Sequence, residues 1–407
     1  MKNVLVLGGG KVGKSVAELL LACGDGAYRV TVADRDEANL REAEGNLARL
    51  KSKVPHAVEF STRKLDASDK AALRAVMTGQ HYVICMLPYD LVSGLAAMAN
   101  ELGVHYFDVT EDVAATEQVK QVAKNARVAL VPQCGLAPGY IAIAAYDIAK
   151  NFSAIHELTL RVGALPRFPT NALKYNVTWS AAGVINEYCE PCNVMLDGER
   201  VKVPALEGLE NFSFEGVEYE AFYTSGGVGT LVDTLVTEGK TNPETRLAYK
   251  TIRYTGHRDL MKFLLQDMRL GVEHAQPTAR GNRFDRQLAM DLMEHGCART
   301  LDDVVVVFIN GIGLRQVDGV TRREQINLKR AIPATMLFGR LWPAIELTTA
   351  AGVCAMVDLH HRGKLRQTGF VKQEECDFGQ FNSTLFGLAY EAPATLEAAV
   401  LSGGKKR

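Results

Sequence analysis

A glycine-rich stretch near the start of the chain, LGGGKVG, contains the spacing G-x-G-x-x-G. It follows the apolar run Val4–Leu7 and opens a helical pattern over Lys14–Cys23. In this position one glycine makes a tight turn, the next lets the backbone approach a pyrophosphate, and the third lets helix and strand pack closely. The stretch therefore predicts a dinucleotide site, although a tight turn without a ligand would use the same glycines. The predicted cofactor contacts in this loop are Gly8, Gly10, Lys11, Val12 and Gly13.

Asp34 lies 21 residues after Gly13, at the end of the strand-like stretch RVTVADRD. A carboxylate there can accept hydrogen bonds from the adenosine ribose hydroxyls and would repel a 2′-phosphate, which favours NAD over NADP. Arg35 keeps NADP possible, because an arginine at this place can pair with a 2′-phosphate. Asp66, in KLDASD, is predicted to approach the adenine edge or, alternatively, to be a helix N-terminal acid.

Further candidates follow later strands, at the carboxyl edge where open α/β sheets bind their ligands. Leu87 and Pro88 are expected near the nicotinamide. Tyr89 is expected either to contact the substrate or to pack. Asp108 and Cys134 stand at the same edge and are candidate catalytic residues, with helix capping as the alternative for Asp108.

Short apolar runs, each followed by a helical pattern, must position these residues. Strand and helix in alternation predict a doubly wound α/β fold with a parallel sheet, because parallel strands need crossover connections. The predicted strands are Val4–Leu7, Arg29–Ala33, Ala57–Ser61, Tyr82–Leu87, His105–Val109 and Val128–Val131.

After Pro132 the pattern changes to alternating apolar and polar residues, as in HELTLRVGAL, VEYEAFYTSGG and DDVVVVFINGIGL. Such stretches predict half-buried antiparallel strands, and HRDLMKFLLQDM and FDRQLAMDLMEHG predict helices between them. A long helical pattern begins near Ile332 and is expected to cover the first sheet. The predicted divisions are a nucleotide-binding domain over 1–132, an α+β domain over 133–331 and a helical return over 332–407.

Composition limits the classes of function. A length of 407 residues, of which 47% are hydrophobic, indicates two domains. The formal net charge of −1 gives no basic surface for nucleic acid or an anionic membrane. No apolar run approaches the ~20 residues of a membrane helix, and no signal-peptide pattern precedes Val4, so a cytoplasmic protein is expected. Cys189 and Cys192 have metal spacing, but no second pair follows and no metal is predicted. His360 and His361 are explained as cations near a helix C-terminus.

The chain resembles the saccharopine dehydrogenase and lysine 6-dehydrogenase group along nearly its whole length. The resemblance implies hydride exchange between NAD(P) and a carbon that bears nitrogen, followed by hydrolysis of the imine. Saccharopine would give 2-aminoadipate 6-semialdehyde and glutamate; lysine and carboxynorspermidine are alternative substrates. It also implies an inserted domain that commonly mediates homodimers and C-terminal helices that complete the nucleotide domain. The segments that carry the resemblance are LGGGKVGKSVAELL, VTVADRD, QCGLAPGY, EAFYTSGGVGTL, KTIRYTGH and GFVKQEE.

An amino-acid substrate needs a fixed cation for its carboxylate, and arginine suits a carboxylate best. Arg253 is the first candidate, with Thr224 and Ser225 as hydrogen-bond donors; a surface ion pair is the alternative for Arg253. The proton of the substrate ammonium must also be taken up, and His257 joins the two edge residues as a possible base. Options for a second cation are Arg161, Arg167 and Lys174. A dinucleotide-binding regulatory protein without turnover remains the non-enzymatic alternative.

Overall fold

The computed structural model describes residues 1–278, 281 and 283–403. The described residues form two compact units. The first contains those of Met1–Ile143, Thr335–Trp342 and Glu346–Arg407, and the second contains those of Ala144–Ala334 and Pro343–Ile345. The chain therefore leaves the first unit later than the predicted boundary at 132 and begins its return close to the predicted boundary at 332.

The first unit is built on a seven-stranded sheet in which all neighbouring strands are parallel. Its order is β3-β2-β1-β4-β5-β6, followed at the edge by the short strand Gly369–Phe370. This is the order of a dinucleotide-binding doubly wound sheet, so the predicted fold class and all six predicted strands are confirmed. The strands are β1 Lys2–Leu7, β2 Tyr28–Asp34, β3 Glu59–Lys64, β4 Tyr82–Cys85, β5 His105–Asp108 and β6 Ala129–Val131.

Five helices alternate with these strands, and three of them begin at an aspartate whose carboxylate accepts backbone N–H groups of the first turn. Asp36 accepts from Ala38, and Asp112 accepts from Ala115. These caps satisfy helix N-terminal donors that would otherwise lack partners. The helices are α1 Lys11–Cys23, α2 Glu37–Leu50, α3 Lys70–Met77, α4 Val92–Leu102 and α5 Val113–Ala123.

The second unit contains an eight-stranded mixed sheet with the order β10-β11-β12-β7-β13-β14, and β8 pairs with both β12 and β9. The stretches in β7, β11 and β13 were expected to be antiparallel strands, which is correct for the β7–β13 pair and for both neighbours of β11. It is wrong for the other side of β7, which runs parallel to β12. Helical segments between these two strands allow the chain to cross over. The strands are β7 Ala154–Pro166, β8 Cys192–Leu196, β9 Glu199–Val203, β10 Glu210–Phe214, β11 Val217–Tyr223, β12 Arg246–Tyr254, β13 Asp303–Val317 and β14 Val320–Pro333.

Helices within residues 140–296 include both of the predicted ones, and the first of these two continues as a π-helical turn over Phe263–Asp267. The helices are α6 Tyr140–Lys150, α7 Ala181–Cys189, α8 Leu231–Thr237, α9 His257–Lys262 and α10 Arg286–Gly296. No helix in the described ranges is both long and apolar enough to cross a membrane.

The C-terminal return begins as a hairpin, so the expected helix start near Ile332 is wrong. The helix begins after Pro343 instead, where the buried Asp303 carboxylate accepts the backbone N–H groups of Ala344 and Ile345. A proline and a capping carboxylate fix a helix start more strongly than apolar spacing does. The elements are β15 Thr335–Leu337, β16 Arg340–Trp342, α11 Ala344–His361, β17 Gly369–Phe370, α12 Phe378–Ser383, α13 Leu388–Glu391 and α14 Leu396–Leu401.

His360, in the last turn of α11, is buried against the amino ends of β4 and β5. Its Nδ1 lies 3.3 Å from the Tyr82 hydroxyl, and its ring centroid lies 4.3 Å from that of His105. Burial lowers the pKa of His360 to about 3 and that of His105 to about 4. The earlier explanation of His360 as a cation at a helix C-terminus is therefore wrong, because this imidazole is neutral.

These depressed pKa values predict acid sensitivity of the fold. An unfolded histidine has a pKa of about 6.5, so the unfolded chain binds more protons than the folded chain below that pH, and the free energy of unfolding falls as the pH falls toward about 4. We expect the thermal midpoint to drop by about 5 °C between about pH 7 and about pH 5. His360→Phe should flatten this dependence in thermal unfolding scans. An unchanged slope in the variant would contradict the assignment.

Candidate functional site

The glycine loop between β1 and α1 has three distinct geometries. Gly8 adopts a φ of +100°, and a Cβ there would lie 2.8 Å from the carbonyl oxygen of Met86. A Cβ on Gly13 would lie 1.8 Å from the carbonyl oxygen of Gly8, so helix and turn pack too closely for any side chain. A Cβ on Gly10 would meet no atom within 4 Å. Two glycines therefore shape the loop, and Gly10 presents bare backbone to open space.

The amino end of α1 is suited to an anion. Gly10 is the N-cap, no side chain caps the helix, and the first turn contains no acidic residue. Lys11 and Val12 are the first two residues of the helix, and Lys14 forms an ion pair with Glu42. The backbone N–H groups of a first helical turn and the helix dipole favour a phosphate at such an end. The loop thus fits the diphosphate bridge of a nicotinamide dinucleotide.

Asp34, the last residue of β2, is oriented by the loop itself. Its Oδ2 accepts the N–H of Gly9 at 2.6 Å and lies 3.2 Å from Asn39 Nδ2, and its Oδ1 accepts the N–H of Asp36 at 2.7 Å. The carboxylate is held beside the glycine turn, where a ribose would follow the diphosphate. Arg35 is exposed.

Asp66 lies in an exposed turn, where its Oδ1 accepts the N–H of Ser68 at 2.9 Å and the Ser68 hydroxyl at 2.8 Å. These hydrogen bonds, with a smaller contribution from Arg35, hold the pKa of Asp66 below its usual value. Asp69, not Asp66, caps α3. The helix-capping alternative for Asp66 is therefore wrong.

The segment after β4 borders the glycine loop. A Cβ on Gly8 would lie 3.2 Å from Leu87 Cδ2, and Pro88 precedes a single 3-10 turn over Tyr89–Leu91. Tyr89 is 54% exposed, so it does not pack in a core. Its ring is available to a ligand at this edge.

Asp108 ends β5 and is only 1% exposed. Its Oδ1 accepts the backbone N–H groups of Thr110 at 3.0 Å and Gln133 at 2.9 Å, whereas its buried Oδ2 has no hydrogen-bond partner among the described residues. Burial raises the pKa of Asp108 to about 6, against the lowering effects of the two backbone hydrogen bonds and of the neighbouring Tyr106 hydroxyl. The N-cap of α5 is Asp112, so Asp108 does not cap that helix.

Cys134 is a neighbour of Asp108, because its N–H donates to the backbone carbonyl oxygen of Asp108 at 2.8 Å. Its thiol donates to the carbonyl oxygen of Val131 at 3.0 Å, and Gln373 Nε2 lies 3.5 Å from the sulfur. Burial, reinforced by Asp108, raises the pKa of Cys134 well above its ordinary value, so the thiol is neutral. Gln373 was not identified as a site residue from the sequence, although it lies in the segment GFVKQEE.

Arg253, in the second unit, lies in β12 and is 3% exposed, so the alternative of a surface ion pair is wrong. Its guanidinium lies 5.4 Å from the ring centre of Tyr175 and 5.7 Å from that of Tyr188, and Nη1 donates to the carbonyl oxygen of Ile252. Its Nε is buried without a hydrogen-bond partner in the described part of the chain, as are the hydroxyls of Tyr175 and Thr178. Burial lowers the pKa of Arg253, but Tyr188, Tyr175 and the buried Glu187 outweigh it and raise that pKa, so the cluster contains a carboxylate as well as donors.

His257 begins α9 next to this cluster and is fully buried. Its Nε2 lies 3.1 Å from the Tyr188 hydroxyl, and its Nδ1 lies 2.9 Å from the carbonyl oxygen of Leu173. Burial, helped by Arg253, lowers the pKa of His257 to about 3. Both nitrogens are satisfied and the ring is neutral, an arrangement typical of a structural histidine.

The remaining candidates of the second unit are distributed along its strands and loops. The hydroxyl of Thr224 lies 2.7 Å from that of Thr251, and the N–H of Ser225 donates to the carbonyl oxygen of Glu187. The structure thus groups Asp108 with Cys134 in one unit and Arg253 with His257 in the other.

The three options for a second cation all have protein partners. Arg161 pairs with Glu210, Arg167 pairs with Asp302, and Lys174 Nζ donates to a backbone carbonyl oxygen. Cys189 and Cys192 are free thiols. Within the described ranges no group of three or more His, Cys, Asp or Glu side chains could hold a metal ion.

Fold and loop together define a dinucleotide-binding protein of the doubly wound type. Comparison with family models gives the particular family: the saccharopine dehydrogenase NADP-binding domain matches residues 4–131, and the saccharopine dehydrogenase C-terminal domain matches residues 135–385. The chain belongs to the saccharopine dehydrogenase family. The resemblance noted in the sequence and the expected nicotinamide cofactor are thereby confirmed.

Characterised relatives are distant and longer. The mitochondrial alpha-aminoadipic semialdehyde synthase of Mus musculus is 26% identical over 311 residues, which cover 68% of this chain and 32% of that protein. The saccharopine dehydrogenase [NADP(+), L-glutamate-forming] of Pyricularia oryzae is 26% identical over 275 residues, which cover 65% of this chain and 57% of that protein. The chain thus spans less than two thirds of either relative.

Solved structures share the fold. The apo saccharopine dehydrogenase (L-Glu forming) of Saccharomyces cerevisiae is 19% identical with a TM-score of 0.72, over 95% of this chain and 97% of that one. The NAD complex of homospermidine synthase from Legionella pneumophila is 12% identical with a TM-score of 0.55, over 96% and 89%.

Proposed function

We propose that this protein oxidises a C–N bond of a lysine-pathway amino acid by hydride transfer to a nicotinamide cofactor. The proposed substrate is saccharopine, whose oxidation gives an imine that water cleaves to 2-aminoadipate 6-semialdehyde and glutamate. The names of the distant relatives support this choice. A reaction of this type needs an acceptor for the proton of the substrate ammonium. The carbon can release its hydride only when the attached nitrogen is uncharged and can form the C=N bond.

Asp108 carries the proposal. Its Oδ2 is buried without a partner among the described residues, and it stands at the carboxyl edge of the sheet, where nicotinamide sites lie. A pKa of about 6 leaves the carboxylate ionised at neutral pH and able to accept a proton. In this assignment Asp108 is the base, while Cys134 and Gln373 pack beside it.

The cofactor supplies the hydride acceptor, and the residues of the loop hold it. The open face at Gly10 and the first amides of α1 are proposed to bind the diphosphate, and Asp34 the adenosine ribose. Because the Asp34 carboxylate would lie against a 2′-phosphate, we propose that NAD is preferred over NADP, although the matching family model carries the name of NADP.

Arg253 is proposed to bind a substrate carboxylate, since its Nε and the nearby hydroxyls of Tyr175 and Thr178 lack acceptors within the described residues. Thr224, Ser225 and Tyr89 are proposed as further substrate contacts. We do not assign the base to His257, because both of its nitrogens are engaged and its pKa of about 3 leaves it neutral with little basicity.

We further propose a cytoplasmic homodimer. The eight cysteines are all free thiols, as is usual in a reducing compartment. The dimer is proposed from the resemblance, because the inserted domain of that group commonly mediates homodimers. Light scattering checks the proposal, because a dimer has twice the chain mass of 44.4 kDa.

The assay that tests the function follows reduced nicotinamide by absorbance, with saccharopine, lysine or carboxynorspermidine and with NAD or NADP. Turnover with saccharopine and NAD supports the proposal. Turnover only with lysine or carboxynorspermidine would replace the substrate and retain the reaction class. Cofactor binding without turnover of any of the three would favour a regulatory protein.

Substituting Arg253 tests the carboxylate site. We expect Arg253→Ala to lower kcat/KM by about tenfold or more, mainly through KM, with an unchanged dissociation constant for the cofactor. Arg246→Ala on the same strand is the control, because Arg246 is exposed and pairs with Asp197 at the surface. A variant that loses thermal stability but keeps the kcat/KM of its folded fraction would make Arg253 structural.

A further inference from the structure

The hairpin of β15 and β16 places an arginine against the cofactor helix. Arg340 Nε donates to Oε2 of Glu18 at 2.9 Å, and its Nη2 donates to the Ser15 hydroxyl at 3.0 Å. The guanidinium lies 3.7 Å from the ring centre of Trp342, which fixes its plane. Arg340 therefore touches two successive turns of α1 from a position more than 300 residues further along the chain.

A second carboxylate meets the same arginine. Glu346, in the first turn of α11, is 5% exposed, and its Oε2 lies 3.9 Å from Arg340 Nη1. The Ser15 hydroxyl lies 3.2 Å from this oxygen and 3.0 Å from the carbonyl oxygen of Lys11. Glu346 is thus linked through one side chain to the first residue of the cofactor helix.

Charges around Glu346 show which groups it faces. Burial raises its pKa, while Arg340, Lys14, the Ser15 hydrogen bond and Lys11 lower it, in that order of size. Two of these opposing groups are the lysines of the first turn of α1. The Glu346 carboxylate therefore competes with a phosphate for the positive potential at the amino end of α1. A cation that pairs with Glu346 reduces this competition.

We propose that Arg340 is a positioning residue for the cofactor: it neutralises Glu346, so that this carboxylate does not offset the positive potential that the amino end of α1 offers to the diphosphate, and Glu18 holds its guanidinium in place. The inference rests on the cofactor site proposed above. Arg340 acts through these carboxylates and Ser15, and it need not touch the cofactor. The ion pairs are buried, where charges are screened little and the loss of one partner is strongly felt.

Arg340→Met is the direct test. We expect the dissociation constant of NADH, measured by fluorescence titration, to rise by about tenfold, since an unneutralised carboxylate then faces the phosphate site. In Arg340→Met/Glu346→Gln that carboxylate is also gone, and binding should recover to within about threefold of the parent. If Arg340 only stabilised the hairpin, removing the Glu346 carboxylate would not restore NADH binding. Equal dissociation constants for the single and the double variant would therefore overturn the proposal.

Arg49→Met is the matched control. Arg49 also pairs with Glu18, at 3.3 Å, but it is not among the groups that act on Glu346, so NADH binding should stay within about twofold. Weakening by this control equal to that of Arg340→Met would contradict the specific role.

If Arg340→Met fails to fold, two single variants decide. Arg340→Lys keeps the positive charge and should bind NADH within about threefold of the parent, and Glu346→Gln should not weaken binding. Weakening by Glu346→Gln beyond about threefold would show that the carboxylate supports the cofactor, which overturns the inference. If the parent protein bound neither NADH nor NADPH, the proposed cofactor site itself would be contradicted.

Discussion

Replacing Gly10 by valine is expected to raise the dissociation constant for NADH by about 100-fold or more and to leave the thermal midpoint almost unchanged. A Cβ at Gly10 would meet no protein atom within 4 Å, and the residue has an ordinary φ of −64°, so we expect the fold to accommodate a side chain there. The same side chain would fill the space in which the diphosphate approaches the backbone. Calorimetric titration with both cofactors, together with thermal unfolding, measures the two effects separately.

Two other glycines complete this experiment. Gly45→Val is the matched control, because a Cβ on Gly45 in α2 also meets nothing within 4 Å but lies away from the loop. Gly13→Ala should have the opposite effect to Gly10→Val and destabilise the fold, since its Cβ would lie 1.8 Å from a carbonyl oxygen. If Gly10→Val bound the cofactor as tightly as the parent protein, the diphosphate could not bind at this loop as proposed.

Asp108→Asn is expected to lower kcat by about 100-fold or more, since an amide of the same shape cannot accept the substrate proton. In the parent protein kcat/KM should rise with pH through about 6, because only the ionised carboxyl group acts as a base. The variant should lose this acidic limb. Initial rates across the pH range, at saturating cofactor, measure both quantities.

Asp112→Asn is the control for this variant. Asp112 lies four residues further along and caps α5 through the N–H of Ala115, a hydrogen bond that an asparagine can also accept. Its kcat and pH profile should match those of the parent. Asp108→Asn with the parental rate and the parental acidic limb would show that the proton goes elsewhere.

The sequence predicted the strand, tight turn and helix of the glycine loop because their geometry is local, whereas its binding of a cofactor stays a prediction. Gly8, Gly10 and Gly13 lie within one turn, and their roles follow from spacing and from the flanking strand and helix. The edge residue Asp108 was predictable for a similar reason, because strand ends in a parallel sheet share one edge.

Residues that depend on distant contacts escaped prediction. Gln373 reaches Cys134 across 239 positions, and Arg340 reaches Ser15 across 325. The stretch that contains Arg340 has a helical pattern, yet the chain makes a hairpin there. The burial of Arg253 between two tyrosines also could not be predicted, because no local pattern reports on aromatic rings brought in from a separate helix and loop.

The edge strand β17 has a consequence for biosynthesis. Gly369 and Phe370 pair with Ala129 and Leu130, so the outer edge of β6 stays open until the chain has been synthesised past residue 370. A nascent or truncated chain that ends before this strand exposes the backbone donors and acceptors of β6, where a strand of another molecule can add. Fragments limited to the amino-terminal part are therefore expected to self-associate, and carboxyl-terminal deletions to reduce the yield of usable protein.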